Sequence, residues 1–167
     1  GKLGYGVEPL RKRLGGYLGI GTGEPAGVAI VGLGRLGSAI LAFPDYRFHG
    51  FVISAGFDRS VNRIELISTA VPLFHVSRLE ELVGNLGIEL AILAVPAAEA
   101  GRMCSRLVRA GIRGIVNCTP AAINPDSPGV FVRNISVIGE LSILSVLIAD
   151  QKTSGKRRNH VPDPDIE

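Results

Sequence analysis

The sequence has no tryptophan, one methionine, three histidines and two cysteines in 167 residues, and aromatic residues make up 5% of it. Each scarcity excludes something. A disulfide framework or a zinc site needs cysteines at paired spacing, and Cys104 and Cys118 form neither a C-x-x-C pair nor a metal-ligand pattern, so both read as reduced structural thiols. The histidines are His49, His75 and His160, and no Ser/His/Asp order, H-E-x-x-H, paired-carboxylate or lysine-base constellation stands out around them. His75, directly after Phe74, reads as a loop histidine rather than a general acid. No catalytic residue, no metal site and no enzyme activity are therefore expected. The longest apolar stretch, Ile135 to Ala149, is interrupted by Glu140 and falls short of the ~20 residues that cross a bilayer. No membrane span is expected. The chain starts at Gly1 without the charged start, apolar centre and small-residue cleavage pattern of a secretory signal, and reads as a piece of a longer cytoplasmic protein.

Charge of one sign is scarce too. The chain carries 18 Lys and Arg against 15 Asp and Glu, a formal +3. All of that excess lies in residues 1–19, where Lys2, Arg11, Lys12 and Arg13 face Glu8 alone; the remainder is balanced. A body that grips nucleic acid shows a basic stripe of its own, and a neutral one is expected to bind DNA weakly at most.

Apolar residues make up 46% of the chain and charged ones 20%, which suits one compact domain with a filled core. Residues 8–17 are charged and helix-prone, and the Gly-rich run from Gly19 to Gly27 breaks that pattern, giving a short linker helix over 1–19. From Gly27 the chain reads Gly-Val-Ala-Ile-Val-Gly, the β-branched run of a strand buried on both faces, as in a parallel sheet. Leu36, Ala39, Ile40 and Phe43 then recur at helical spacing, and Pro44 ends that pattern. The alternation continues: a strand from Phe51 to Phe57, a loop, a short strand near Val71 to Phe74, and a helix presenting Leu79, Leu82, Val83 and Leu86. A buried run follows from Glu89 to Val95, then a helix after Pro96 that Gly111 ends. The last elements are a strand start at Ile115 to Asn117, another at Val130 to Val132, and a helix from about Ser136. This rhythm predicts an α/β, Rossmann-like, doubly wound, mostly parallel sheet over 20–149, with a polar, disordered tail over 150–167.

The last helix is apolar all round its wheel, with Val137, Ile138, Leu141, Ile143, Leu144, Val146, Leu147 and Ile148. Such a helix needs cover on every side. A second subunit supplies it in a homodimer; the alternative cover is the chain's own N-terminal segment.

Gly32-Leu33-Gly34-Arg35-Leu36-Gly37 is a G-x-G-x-x-G run between a predicted buried strand and an amphipathic helix, and Asp58 ends the next strand about twenty residues later. In that context Gly32 permits the tight turn, Gly34 clears the path of a pyrophosphate, and Gly37 allows close packing. The phosphates meet the amides of the turn. Asp58 would accept from the ribose hydroxyls and repel a 2′-phosphate, favouring NAD(H) over NADP(H), while Arg59 beside it pulls the other way. The loops Ala94-Val95-Pro96 and Asn117-Cys118-Thr119-Pro120 lie where open parallel sheets bind ligands. Val95 and Pro96 are candidates to lie against a base, and Asn117, Thr119 and Pro120 to line the nicotinamide end; the alternative for each loop is an ordinary strand-to-helix turn. A dinucleotide site without a substrate domain suggests sensing.

The glycine run followed by Ser38-Ala39, the Phe57-Asp58 pair, Val71-Pro72 through Leu79-Glu80-Glu81-Leu82, the stretch Ile88 to Pro96, and Ala110-Gly111-Ile112-Arg113-Gly114-Ile115-Val116-Asn117 together resemble the redox-sensing transcriptional repressors of the Rex family, from about residue 1 to residue 149. The opening Gly1-Lys2-Leu3-Gly4-Tyr5-Gly6-Val7 is similar to the end of that family's winged-helix DNA-binding domain, which implies that operator DNA is contacted through a domain missing from this chain. The resemblance further implies a homodimer that exchanges its C-terminal helix, NAD(H) as cofactor, and release of DNA when NADH occupies the Rossmann domain. The chain departs from the family at Ser136-Val137, where members carry an Asp-Phe pair, and at Ser60, where members carry a second acidic residue. Two rival expectations share the fold: a CoA-binding domain of the acyl-CoA synthetase kind, against which Asp58 argues, and a truncated NAD(P)-dependent oxidoreductase.

Overall fold

The computed structural model describes residues 25–158, so the expectations for the linker helix over 1–19 and for residues 159–167 lie outside the described residues. Strands β1 (Ala26–Val31), β2 (Phe51–Asp58), β3 (Leu73–His75), β4 (Leu90–Leu93), β5 (Gly114–Asn117) and β6 (Phe131–Asn134) form one six-stranded sheet in the order β3-β2-β1-β4-β5-β6. Every pairing is parallel. Helices α1 (Arg35–Leu41), α2 (Val61–Leu66), α3 (Leu79–Asn85) and α4 (Ala97–Arg109) connect them. This is the Rossmann order, in which the chain leaves β1 toward one edge and returns from β3 to β4 beside it. The expected doubly wound α/β fold is present.

Side-chain alternation along β1 divides the core. Ala29 and Val31 join Phe57, Leu93 and Ile115 under α3 and α4, whereas Val28 and Ile30 join Leu33, Leu41 and Ile53 under α1. Small residues keep the layers close: Ala29, Ala55, Ala91 and Ala100 are all buried. On the α1 face, Leu90, Ile92 and Val116 remain only half-buried.

The register aligns the strand ends that matter. Val31 pairs with Leu93, Leu93 with Asn117, and Asn117 with Asn134, while Asp58 ends β2 opposite His75. All the loops that leave these ends therefore emerge on one edge of the sheet.

Three differences from the sequence reading have local causes. Residues 61–66, expected as loop, form α2, a six-residue helix that buries none of its side chains and so leaves no apolar periodicity; Ser60 caps it by accepting from the Arg63 N–H at 3.3 Å. β4 ends at Leu93, not Val95, because the chain turns away after Ala94, whose N–H donates to the Val31 carbonyl at 2.8 Å. The chain divides into two units after Ile135, and the helix of the second outlasts its expected span. That helix, α5 (Val137–Arg158), runs past the boundary expected at 150, since helix-favouring residues such as Gln151 and Lys152 can propagate a helix already nucleated. Ser136 opens it, accepting the Gly139 N–H at 3.0 Å. Its apolar residues are exposed, from Leu144 at 53% to Ile138 at 78%.

Candidate functional site

Between the loops after β1 and β4, at the point where the strand order reverses, lies a cleft of about 550 Å³. It is lined by Val31 and the glycine turn, by Phe57 and Val76, by Met103 and Arg106 of α4, and by Cys118 and Pro120.

The three glycines have different roles. Gly32 sits at φ 94°, and a Cβ there would lie 2.5 Å from the Ala94 carbonyl oxygen. A Cβ on Gly37 would lie 1.9 Å from the Gly32 carbonyl oxygen, so the helix packs directly on the turn. A Cβ on Gly34 would meet nothing within 4 Å. That residue caps α1 without a side-chain acceptor, leaving amides of the first turn directed at open space. Two glycines thus build the turn, and the third keeps its outer surface clear.

Asp58 is buried, with its side chain 3% exposed. Its Oδ2 accepts the Leu33 N–H at 2.7 Å and its Oδ1 the Ser60 N–H at 2.8 Å, and the Arg63 Nη1 donates to both oxygens at 3.0 and 3.1 Å. Burial works against ionisation, but the Ser60 and Leu33 amides and the Arg63 guanidinium outweigh it and hold the carboxyl below its usual range. Arg59, the residue after β2, pairs with Glu99 in the first turn of α4 at 2.5 Å. Deeper, Arg106 binds Glu80 through Nε at 2.7 Å and Nη2 at 2.6 Å, and donates to the Val76 carbonyl at 2.8 Å, tying α4 to α3. Arg59, Arg63, Arg102 and Arg106 against Asp58 and Glu99 give the lining a positive balance suited to an anionic ligand.

Of the residues singled out from sequence, Gly32, Gly34, Leu36, Asp58, Arg59, Val95, Pro96 and Pro120 line this one cleft. Leu33 points into the core, Gly37 is buried, and Arg35 is exposed beside the turn. Asn117 and Thr119 are placed otherwise than expected. Asn117 is fully buried and donates to the Ala121 carbonyl and to Asn134 Oδ1, both at 2.7 Å, while its own Oδ1 accepts the Thr119 N–H at 3.1 Å. The Thr119 hydroxyl donates to the Ala121 carbonyl at 3.1 Å. Both polar groups hold the loop after β5 instead of facing the cleft. A buried asparagine closing a strand end needs internal partners, and nothing in its sequence spacing marks which ones.

Sequence reasoning missed Arg63, Val76, Glu99, Arg102, Met103 and Arg106 among the lining residues, and named Cys118 only as part of its loop. Arg63 was hidden because α2 carries no periodic signal. Cys118 is half-buried and Cys104 buried, neither is in a disulfide, and burial pushes both thiols up, away from the reactive thiolate. His75, expected in a loop, ends β3 and bridges Ser77 Oγ at 2.8 Å and the Arg59 carbonyl at 3.1 Å, so its ring nitrogens are satisfied. Among the described residues no His, Cys, Asp or Glu cluster could hold a metal, and no helix is long and apolar enough to cross a membrane.

The chain matches known proteins over most of its length. Residues 24–121 match the family described as CoA binding domain. The chain is 35% identical over 144 residues to a redox-sensing transcriptional repressor Rex of Carboxydothermus hydrogenoformans, covering 86% of this chain and 67% of that protein. It is 34% identical to a Rex of Clostridioides difficile, covering 89% and 70%. Among solved structures, RSP in complex with β-NAD+ and operator DNA superposes with a TM-score of 0.79 at 27% identity over 95% of this chain and 72% of that one. RSP in complex with β-NADH gives 0.77 at 28% identity over 91% and 72%. The chain thus spans about two thirds of the length of these relatives.

Proposed function

Because the chain belongs to the Rex family of redox-sensing transcriptional repressors, and its residues 24–121 to the CoA binding domain family, we propose that it is the NAD(H)-sensing regulatory and dimerisation domain of such a repressor. The observation that carries the reading is the cleft at the sheet's switch point, where Gly34 leaves the turn open beside amides that favour an anion and Asp58 stands at the end of β2. The pyrophosphate would lie on the turn from Gly32 to Gly37. The adenosine would lie toward Asp58 and Arg59, between Phe57 and the Val95-Pro96 loop, and the nicotinamide toward Cys118 and Pro120. NAD(H) supplies redox state as a signal, and the chain's own residues hold it without reacting with it.

The homodimer would form through α5. Its exposed apolar surface and the half-buried Leu90, Ile92 and Val116 both call for cover. A dinucleotide that fits one arrangement of the two subunits better than another shifts their population, and with it the spacing of winged-helix domains attached before residue 1. Operator DNA would be contacted there, in the cytoplasm.

The second reading is CoA in the same cleft, favoured by the CoA binding domain match. The similarity to Rex proteins, 34–35% identity over 86–89% of this chain, supports the dinucleotide instead. Calorimetric titration with NADH, NAD+ and CoA tests the two: NADH binding near one per chain supports the proposal, and binding of CoA alone overturns it.

A further inference from the structure

The carboxylate that ends β2 is fully engaged. Asp58 offers about four acceptor positions, and four contacts fill them: the Leu33 N–H, the Ser60 N–H, and Arg63 Nη1 on each oxygen. The two amides belong to the turn and to the start of α2, so they cannot leave without unmaking the backbone. Arg63 is the movable partner, with its side chain 47% exposed. A ribose diol seeking Asp58 must displace this guanidinium or share the carboxylate with it.

Arg63 also neutralises the charge that would repel a phosphate on that ribose. Arg59 is 69% exposed and pairs with Glu99, and Ser60, the first of the three residues between the two arginines, carries the hydroxyl that caps α2. Two guanidiniums and a hydroxyl thus flank the end of β2, where the ribose 2′ position would come, while Asp58 is braced against the glycine turn and Glu99 is paired with Arg59. A guanidinium beside the ribose is the device by which a Rossmann site accommodates a 2′-phosphate.

Resting on the dinucleotide reading above, we propose that Arg63 sets the cofactor range of this site, making it accept 2′-phosphorylated dinucleotides, NADP(H), alongside NAD(H). Asp58 serves chiefly as the brace of the turn, and discrimination passes to the arginine that covers it. The 2′-phosphate is held by Arg63, swung a short way off Asp58, with Arg59 released from Glu99 as its second partner.

The test is calorimetry with NADH and NADPH, and with 5′-AMP and adenosine 2′,5′-bisphosphate as probes of the ribose end alone, on the wild-type chain, Arg63→Ala and Arg63→Lys. The wild type is expected to bind NADPH within about tenfold of NADH. Arg63→Ala should weaken NADPH and the bisphosphate by about tenfold to a hundredfold, the loss of a charge-assisted hydrogen bond, and tighten NADH severalfold because no guanidinium need be displaced. Arg63→Lys should restore most of the bisphosphate affinity, and thermal unfolding confirms that each variant is folded. A wild type that rejects NADPH by more than about a hundredfold overturns the proposal and leaves NADH sensing intact. Equal loss of both dinucleotides in folded Arg63→Ala also overturns it. No binding of either dinucleotide to the wild type overturns the underlying functional reading as well.

Discussion

The backbone N–H of Leu33, inside the glycine turn, donates to the Asp58 Oδ2 at 2.7 Å across 25 residues of chain. The residue most readily assigned to a ribose therefore also holds the turn that would receive the pyrophosphate. Asp58→Ala removes the acceptor from two amides, one of them on the buried Leu33. It should cost about 1–3 kcal/mol of stability as well as nucleotide affinity. Urea unfolding checks this: an unchanged midpoint would mean that the bond does not brace the turn.

The same bonds predict a direction with pH. A carboxyl whose folded value is lowered contributes its full stability above the unfolded value, near pH 4, and loses it as pH falls through the still lower folded value. Stability should therefore decline below about pH 4, and Asp58→Asn should flatten part of that decline. Urea midpoints across the acid range, compared between wild type and variant, measure it. Parallel curves for the two proteins would assign the acid loss to other groups.

Alanine at each glycine of the turn should separate folding from binding. Gly37→Ala drives a Cβ to 1.9 Å from a backbone oxygen, and Gly32→Ala adds a positive φ to a 2.5 Å clash. Each should lose at least about 1–3 kcal/mol. Gly34→Ala has free space and an extended backbone at φ −68°, so its unfolding midpoint should stay close to wild type while its methyl blocks the approach of the pyrophosphate. A Gly34→Ala chain that is stable and binds NADH normally would remove the pyrophosphate from this turn.

A charge on the apolar helix should expose its role in assembly. Leu144→Asp lies mid-helix among residues that are exposed on every side. Light scattering should report a dimer for the wild type and a monomer for the variant. A wild-type monomer at micromolar concentration would rule out α5 as a dimer element.

The fold was legible because its central strands are short apolar runs, as in β1 and β4, and its longer helices keep apolar periodicity, both properties of buried faces that the sequence writes directly. The glycine turn was legible because positive φ and close approach demand a residue without a Cβ, as at Gly32 and Gly37. What escaped has the opposite character. The helix α2 buries nothing, so neither it nor Arg63 left a pattern. Asn117 and Thr119 look like ligand groups in sequence, but their partners, Ala121 and Asn134, are set by how one loop folds back on β6. Spacing could place Asp58 at the strand end, yet could not say that three donors already surround it.

Titration of the purified chain with NADH, followed by competition with CoA, tests the central claim most directly. The account predicts saturable NADH binding near one per chain, lost in Gly34→Ala and not displaced by CoA. Binding of CoA with no binding of NADH would contradict it.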